Sequence, residues 1–456
     1  MYGMRGPPVP DNHIQTLPDN WFDQRVDHFN TSDTRTFKQR YFINNKYYKT
    51  GGPVFLLVDG ENEGQDYFIT AGALAGYAQR FGALAVDLEH RYYGQSLPTE
   101  DLSIGNLRYL TVGQALKDTE QFIGYLNRKL SLNNNTKWIA FGGSYAGNLV
   151  AFLREKYPHA VAGSVASSAP IQMTYDFNQY YPAVSQSLGT ECSKQVREAF
   201  QLVVDQLKTP DGWLAIGKEF KLCTPLNGTD RDSVYRFMLS LMEPFAISAQ
   251  YDGRSPMGVH RVCSLMMTTD NRTDNGSKSS PVDRLAQVMT EYRKGNCIDY
   301  EYNKLINVLK DIKPSPQAMF RQWFYQMCTE FGYFQTTDHS DSPFGHNVPI
   351  DHYVKICSDA YGKQFTPDVI RKSVDRFNQY YGGAKPENIT NVVFTNGAVD
   401  PWHVLSVLTD LNPTTRAIYM NSTSHGAEML QPLPTDPQEL TDARLAIEKQ
   451  LQLFLQ

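Results

Sequence analysis

The sequence predicts an α/β protein: a doubly wound, largely parallel sheet split by a helical insertion. Three features carry that reading. Short apolar runs bounded by Gly, Asp or Ser alternate with helical patterns in the outer parts of the chain. Six cysteines are confined to the middle, from Cys192 to Cys357. Around Ser144 a strand, a turn of small residues and a helix follow one another directly.

Pro53 to Val58, Ala83 to Asp87, Lys137 to Phe141 and Gly163 to Ser167 are short and mostly apolar, as strands buried on both faces are. Thr111 to Leu130 reads as a helix opened by a capping box of Thr111 and Gln114. After the insertion come strands at Asn391 to Thr395 and Arg416 to Met420, then a last helix from about Asp442 to Leu455. Such alternation implies helices on both faces of the sheet. The expected division is a first catalytic segment 1–181, a cap 182–365 and a second catalytic segment 366–456. In the cap, Val196, Phe200, Val203 and Leu207 recur at helical spacing, as do Val282, Leu285, Met289 and Tyr292. Both stripes read as core-facing, not as ligand sites. Thr268 to Pro281 is polar and reads as a mobile loop.

A length of 456 residues suits one large α/β enzyme with an insertion, or two to three domains. A net charge of −5 gives no reason to expect nucleic acid or an anionic membrane as partner. No stretch approaches the roughly 18 apolar residues of a membrane span. Met1 to Asn12 has no signal-peptide h-region, so a signal peptide is not expected within this numbering. Cys192, Cys223, Cys263, Cys297, Cys328 and Cys357 are even in number, dispersed and without metal-like spacing. They suit three disulfides better than buried thiols of a cytosolic protein. Seven N-x-S/T sequons, at Asn30, Asn134, Asn227, Asn271, Asn275, Asn388 and Asn421, point the same way, to a secreted or endosomal/lysosomal glycoprotein.

Gly142-Gly143-Ser144-Tyr145-Ala146-Gly147 has the context of a nucleophile elbow. The turn exposes a hydroxyl at the sheet edge, and the helix N-terminus adds backbone N–H groups beside it. A Gly-rich structural turn is the bland alternative, since Ala146 stands where a second glycine is usual. A serine needs a base and an orienting carboxylate, which in α/β hydrolases follow it in the order acid, then histidine. Of ten histidines, only His403 and His425 follow a plausible acid. Asp400 comes just after the strand Asn391 to Thr395, and His425 lies on the loop after the next strand. His403, three residues past Asp400, reads as a pocket wall. The expected triad is Ser144, Asp400 and His425; otherwise Asp400 only caps a helix and His425 is a surface loop residue. The oxyanion hole calls for two backbone donors, Tyr145 N–H and one from Asp59-Gly60-Glu61-Asn62-Glu63-Gly64, with Gly60 the candidate. The acidic residues of that loop either bind a substrate amino terminus or hold the loop by hydrogen bonds.

Further motifs occur in order: Trp21-Phe22-x-Gln24-x-x-Asp27-His28-Phe29, Glu61-Asn62-Glu63-Gly64, Glu89-His90-Arg91-Tyr92-Tyr93-Gly94-Gln95-Ser96, Gly142-Gly143-Ser144-Tyr145, Ala166-Ser167-Ser168-Ala169-Pro170 and Asn396-Gly397-x-x-Asp400-Pro401-Trp402. Together they resemble the serine carboxypeptidase S28 family, over nearly the whole chain. Ala146 and Asp400-Pro401-Trp402-His403-Val404-Leu405-Ser406 point to its thymus-specific serine protease branch. The resemblance implies an α/β-hydrolase fold with a disulfide-stapled helical cap, and peptide hydrolysis, often after proline. It places Trp402 as an aromatic wall of the S1 pocket. It implies the pairs Cys192–Cys263, Cys223–Cys297 and Cys328–Cys357, where spacing alone leaves 15 pairings open. Asn148 departs from the apolar residue that proline-cleaving members carry near S1, and Gly426 from their second histidine. The substrate-binding set expected is therefore Glu61, Asn62, Glu63, Asn148, Trp402 and His403.

The reading is a serine peptidase of exopeptidase type with partial preference for proline, needing no metal or cofactor. Its expected partners are peptides and, at most, a second copy of the chain. The rivals are an esterase or lipase on the same fold and a catalytically inactive binding homologue. A generic HGGG loop and a long apolar lid would favour a lipase, and the sequence has neither.

Overall fold

The computed structural model describes residues 10, 13–133, 135–254, 257–268, 279–315, 319–386 and 388–456. Its strands are β1 (Asn20–Arg25), β2 (Thr36–Asn44), β3 (Val54–Val58), β4 (Leu84–Leu88), β5 (Trp138–Gly143), β6 (Gly163–Ser167), β7 (Thr174–Asp176), β8 (Gly332–Phe334), β9 (Val392–Gly397) and β10 (Thr415–Met420). Eight of them form one sheet in the order β1-β2-β4-β3-β5-β6-β9-β10. From β4 to β10 every pairing is parallel; β1 and β2 add an antiparallel edge.

The sheet is doubly wound, and β3 shows why its residues are apolar throughout. Val54, Leu56 and Val58 pack into one core with Phe122, Ile123, Leu149 and Phe152. Phe55 and Leu57 pack into the opposite core with Tyr77, Ile447 and Leu451. Helices Val112–Lys129 and Tyr145–Lys156 therefore cover one face, and Ala73–Phe81 and Gln438–Phe454 the other. Each fully buried aliphatic or aromatic side chain contributes about 1.5–3 kcal/mol.

Three local readings of the sequence need correction. The edge strands β1 and β2 were not expected. Thr111 does cap its helix, its side chain accepting from Gln114 N at 3.2 Å. The reciprocal half of a capping box is absent: Gln114 Oε1 accepts from His28 N at 3.0 Å, and Nε2 donates to Asp27 Oδ1 at 2.7 Å. Its side chain thus ties the segment after β1 to the helix start. The last helix begins at Gln438, a turn earlier than expected.

Between β6 and β9 the chain leaves the sheet in a run of helices, including Thr190–Gln206, Arg231–Gln250, Pro281–Tyr292, Phe320–Gln326 and Ile350–Tyr361. Val196, Phe200, Val203, Val282, Leu285 and Met289 are buried; Leu207 and Tyr292 pack against the same core from its margin. Disulfides join Cys192 to Cys263, Cys223 to Cys297 and Cys328 to Cys357. A π-turn, Met327–Phe331, extends helix Phe320–Gln326, and β8 pairs with β7 in a small parallel ribbon. Most of the polar stretch between Thr268 and Pro281 lies outside the described residues. No helix among the described residues is long and apolar enough to cross a membrane.

Candidate active site

Ser144 sits between β5 and helix Tyr145–Lys156 at φ 62°, ψ −129°. A positive φ on a non-glycine residue costs on the order of 1–3 kcal/mol and persists only where the surroundings enforce it. Here small neighbours enforce it. A Cβ on Gly142 would lie 2.3 Å from Ala146 O, and one on Gly147 2.9 Å from both Ala169 Cβ and Ser167 O. Ser144 N donates to Ser167 O at 2.8 Å. Ala146 fits in place of a glycine because the residue facing it is Gly60: a Cβ on Gly60 would lie 3.4 Å from Ala146 Cβ.

Adjacent parallel strands end side by side, so residues just past β5, β9 and β10 meet at one sheet edge. Asp400 follows β9 and His425 follows β10, and both are fully buried. His425 Nδ1 donates to Asp400 Oδ2 at 2.6 Å. The other carboxylate oxygen accepts from Trp402 N at 3.0 Å. With Nδ1–H committed to the carboxylate, a neutral His425 carries its lone pair on Nε2. Ser144 Oγ and His425 Nε2 are both buried, and neither has a hydrogen-bond partner among the described residues. The imidazole is also held from the helical segment. His425 N donates to Gln250 O at 3.0 Å, Arg254 Nη1 donates to His425 O at 3.0 Å, and the Tyr251 ring stands edge-on to the imidazole.

The loop after β3 lies against the Ser144 turn. A Cβ on Gly60 would lie 3.2 Å from Ala146 N and 3.5 Å from Tyr145 Cδ1. Buried charge fixes the loop. Glu89 accepts from Gly64 N at 3.0 Å and from Arg40 at 2.5 Å, and Arg40 also donates to Gly64 O at 3.0 Å. Glu63 Oε1 accepts from Arg40 and Gln95, both at 3.1 Å, so its carboxylate serves the loop itself. Glu61 is buried and Asn62 exposed.

The side chain of Tyr145 is buried on the far side of the turn. Burial pushes His90 down to about 4, so its ring is neutral near pH 7. Its Nδ1–H donates to Arg91 O at 2.6 Å, which leaves Nε2 to accept from Tyr145 Oη at 3.1 Å. Tyr145 Oη in turn accepts from Gln326 Nε2 at 3.0 Å, and Gln326 Oε1 accepts from Tyr93 at 2.6 Å. Gln326 belongs to the helical segment, so that segment braces the start of helix Tyr145–Lys156.

Trp402 is buried in an aromatic nest of Phe177, Tyr180 and Tyr333, with ring centroids 5.2–5.6 Å away. Its indole N–H donates to Gln250 Oε1 at 3.1 Å. Asn148, one turn after Ser144, donates from Nδ2 to Tyr333 Oη at 3.3 Å, while its Oδ1 is buried without a partner among the described residues. Tyr333 Oη donates to Pro170 O. His403 Nδ1 donates to Asp400 O at 2.6 Å, and its ring meets Tyr419.

The model of the serine carboxypeptidase S28 family matches residues 24–447. The chain belongs to that family. It is 36% identical to a putative serine protease, K12H4.7, of Caenorhabditis elegans over 95% of this chain and 87% of that one. It is 34% identical to the thymus-specific serine protease of Mus musculus over 95% and 87%. It is 32% identical to the lysosomal Pro-X carboxypeptidase of Bos taurus over 91% and 84%. This S28 member is thus a serine-type peptidase on an α/β-hydrolase fold.

Within the S28 peptidase, sequence reasoning missed Gln250, Tyr251, Arg254 and Gln326. All act across long sequence separations and none stands in a local pattern. Of the sequon asparagines, Asn30, Asn227, Asn388 and Asn421 are exposed, whereas Asn134, Asn271 and Asn275 lie outside the described residues.

Proposed function

We propose that Ser144, His425 and Asp400 are the nucleophile, base and orienting acid of this peptidase. The observation that carries the reading is a strained elbow serine at the same sheet edge as an imidazole whose Nδ1 is held by Asp400 at 2.6 Å. His425 Nε2 takes the Ser144 hydroxyl proton as Oγ attacks the scissile carbonyl carbon. The oxyanion forms against Tyr145 N–H and the Gly60 region of the loop. The imidazolium gives its proton to the departing amine. Water then loses a proton to His425 as it attacks the acyl carbon, and the imidazolium returns that proton to Ser144 Oγ as the C–Oγ bond breaks, freeing the acid product.

Segments 1–181 and 366–456 form the catalytic domain and 182–365 its cap. Trp402 and Asn148 line the pocket for the residue before the cleaved bond. A flat apolar wall favours proline, while the free Asn148 Oδ1 favours a polar side chain. The pocket accordingly accepts small or polar residues beside proline. Glu61 and Asn62 lie where an extended peptide runs past the oxyanion loop. Three disulfides, exposed sequons and lysosomal relatives support a secreted or endosomal/lysosomal glycoprotein.

The test of the base is a pair of substitutions. His425→Ala should lower kcat by on the order of 10³-fold or more, while His403→Ala retains most of it. The reverse result would move the base to His403.

A further inference from the structure

The motif Ala166-Ser167-Ser168-Ala169-Pro170 has no role in the chemistry above. Its place in the fold suggests one. Ser167 ends β6, which pairs with β5 on one side and β9 on the other. Ser144 N donates to Ser167 O at 2.8 Å, and Ser168 N donates to Thr395 O on β9 at 2.7 Å. Tyr333, from β8, donates its hydroxyl to Pro170 O. The segment is thus tied to the nucleophile turn, to the strand that precedes the acid and to the cap.

Ser168 is buried and adopts φ 46°. That is the left-handed region, where glycine is the default and a side chain is strained. A serine there calls for something its side chain does that glycine cannot. Ser168 Oγ accepts from Gly426 N at 2.8 Å. Gly426 directly follows His425 and is itself buried, so its N–H needs an acceptor inside the protein.

The peptide unit that joins His425 to Gly426 is therefore held at both of its polar ends. Its carbonyl accepts from Arg254 Nη1 at 3.0 Å, and its N–H donates to Ser168. Arg254 and Gln250, which accepts from His425 N, lie in the cap. Ser168 comes instead from the sheet that carries Ser144. Two consecutive residues thus grip both partners of the proton transfer: Ser167 O takes the N–H of Ser144, and Ser168 Oγ takes the N–H just past His425.

We propose that Ser168 is a positioning residue for catalysis: its hydroxyl fixes the His425–Gly426 peptide against the segment that also holds Ser144, and so sets the imidazole in place relative to the Ser144 hydroxyl. Ser168 acts through His425, and its role rests on the reading that His425 is the base. Gly426 has φ 58° and no side chain, so without the hydroxyl its peptide is free to turn. Misplacing a catalytic group by about 1 Å costs on the order of 10²-fold in rate. Loss of the hydroxyl should therefore lower kcat by about 10- to 100-fold and leave KM nearly unchanged.

The experiment uses Ser168→Gly, which suits the positive φ and removes only the side chain, alone and combined with His425→Ala. Both kcat and KM are measured on an activated peptide ester, whose residual turnover stays readable without the base, and melting curves report the fold. Ser168→Gly alone should show the loss of about 10- to 100-fold in kcat, at unchanged KM and a near-native melting temperature. In the His425→Ala background the same substitution should cost less than about threefold, because groups that act as a unit are not additive. If Ser168→Gly does not fold, Ser168→Ala takes its place with the same expectation. A native kcat in Ser168→Gly, a loss confined to KM, a loss matched by unfolded protein, or an equal loss in both backgrounds would each overturn the proposal. His425→Ala at the native rate would overturn the base assignment itself, and the role of Ser168 with it. His425→Ala inactive beside Ser168→Gly at the native rate would overturn the role of Ser168 alone.

Discussion

Gly60→Ala tests the oxyanion loop at the point of closest approach. The new methyl would sit 3.2 Å from Ala146 N, 3.4 Å from Ala146 Cβ and 3.5 Å from Tyr145 Cδ1. Comfortable carbon contacts lie near 3.5–4.0 Å, so the loop must retreat by roughly 0.3–0.6 Å. Losing an oxyanion donor outright costs about 2.7–4 kcal/mol in kcat. A partial retreat should cost about 1–2 kcal/mol, or roughly 5- to 30-fold. The loss should fall on kcat and leave KM nearly unchanged, because the donor acts on charge present only in the transition state. Steady-state kinetics on one peptide, with a melting curve to confirm the fold, reads it out. Adding Ala146→Gly removes one of the contacts and should restore part of the rate, a coupling between two touching residues. Unchanged kcat, or a loss confined to KM, would refute the assignment of this loop to the oxyanion hole.

Further outcomes follow from the same geometry. Asp400→Asn should lower kcat by on the order of 10⁴-fold with the fold intact, since an amide at Oδ2 cannot hold the Nδ1–H tautomer of His425; a loss under about tenfold would contradict that role. Burial pushes Glu330 up to about 7 from 4.5, so its stabilising contribution is full below about pH 4.5 and is lost as pH rises through about 7. His90 runs oppositely: pushed down to about 4 from 6.5, its contribution is present above about pH 6.5 and lost as pH falls through 4. Melting temperatures across pH should accordingly peak between these limits, and Glu330→Gln should flatten the decline on the alkaline side; an unchanged decline would refute the assignment. Asn148→Met should raise the preference for proline over serine or glutamine, measured as kcat/KM in a matched peptide series. A native preference for proline above about 100-fold, roughly 2.7 kcal/mol, would show that Asn148 does not shape the pocket.

What was legible in the sequence follows the physics of each element. The parallel strands β3 to β6, β9 and β10 are covered on both faces, so they read as unbroken apolar runs wherever they lie in the chain. The antiparallel edge did not read that way. In β1 only Gln24 is buried, and β2 mixes Lys38 and Arg40 with Phe37, Tyr41 and Phe42, because each strand meets solvent or a buried ion network on part of its length. The placement of Ser144, Asp400 and His425 at one sheet edge was legible because each stands just past a recognisable strand. Gln250 and Gln326 were not. Each is a lone glutamine on an ordinary helix, and its importance arises only when that helix comes to rest on Trp402 or Tyr145.

The central claim is that Ser144 is the nucleophile, and covalent labelling tests it most directly. The native protein is treated with a fluorophosphonate and analysed by intact mass and peptide mapping. The account predicts one adduct per chain, located on Ser144 and absent from Ser144→Ala. An adduct of equal yield in Ser144→Ala, or one mapped to any other serine, would contradict it.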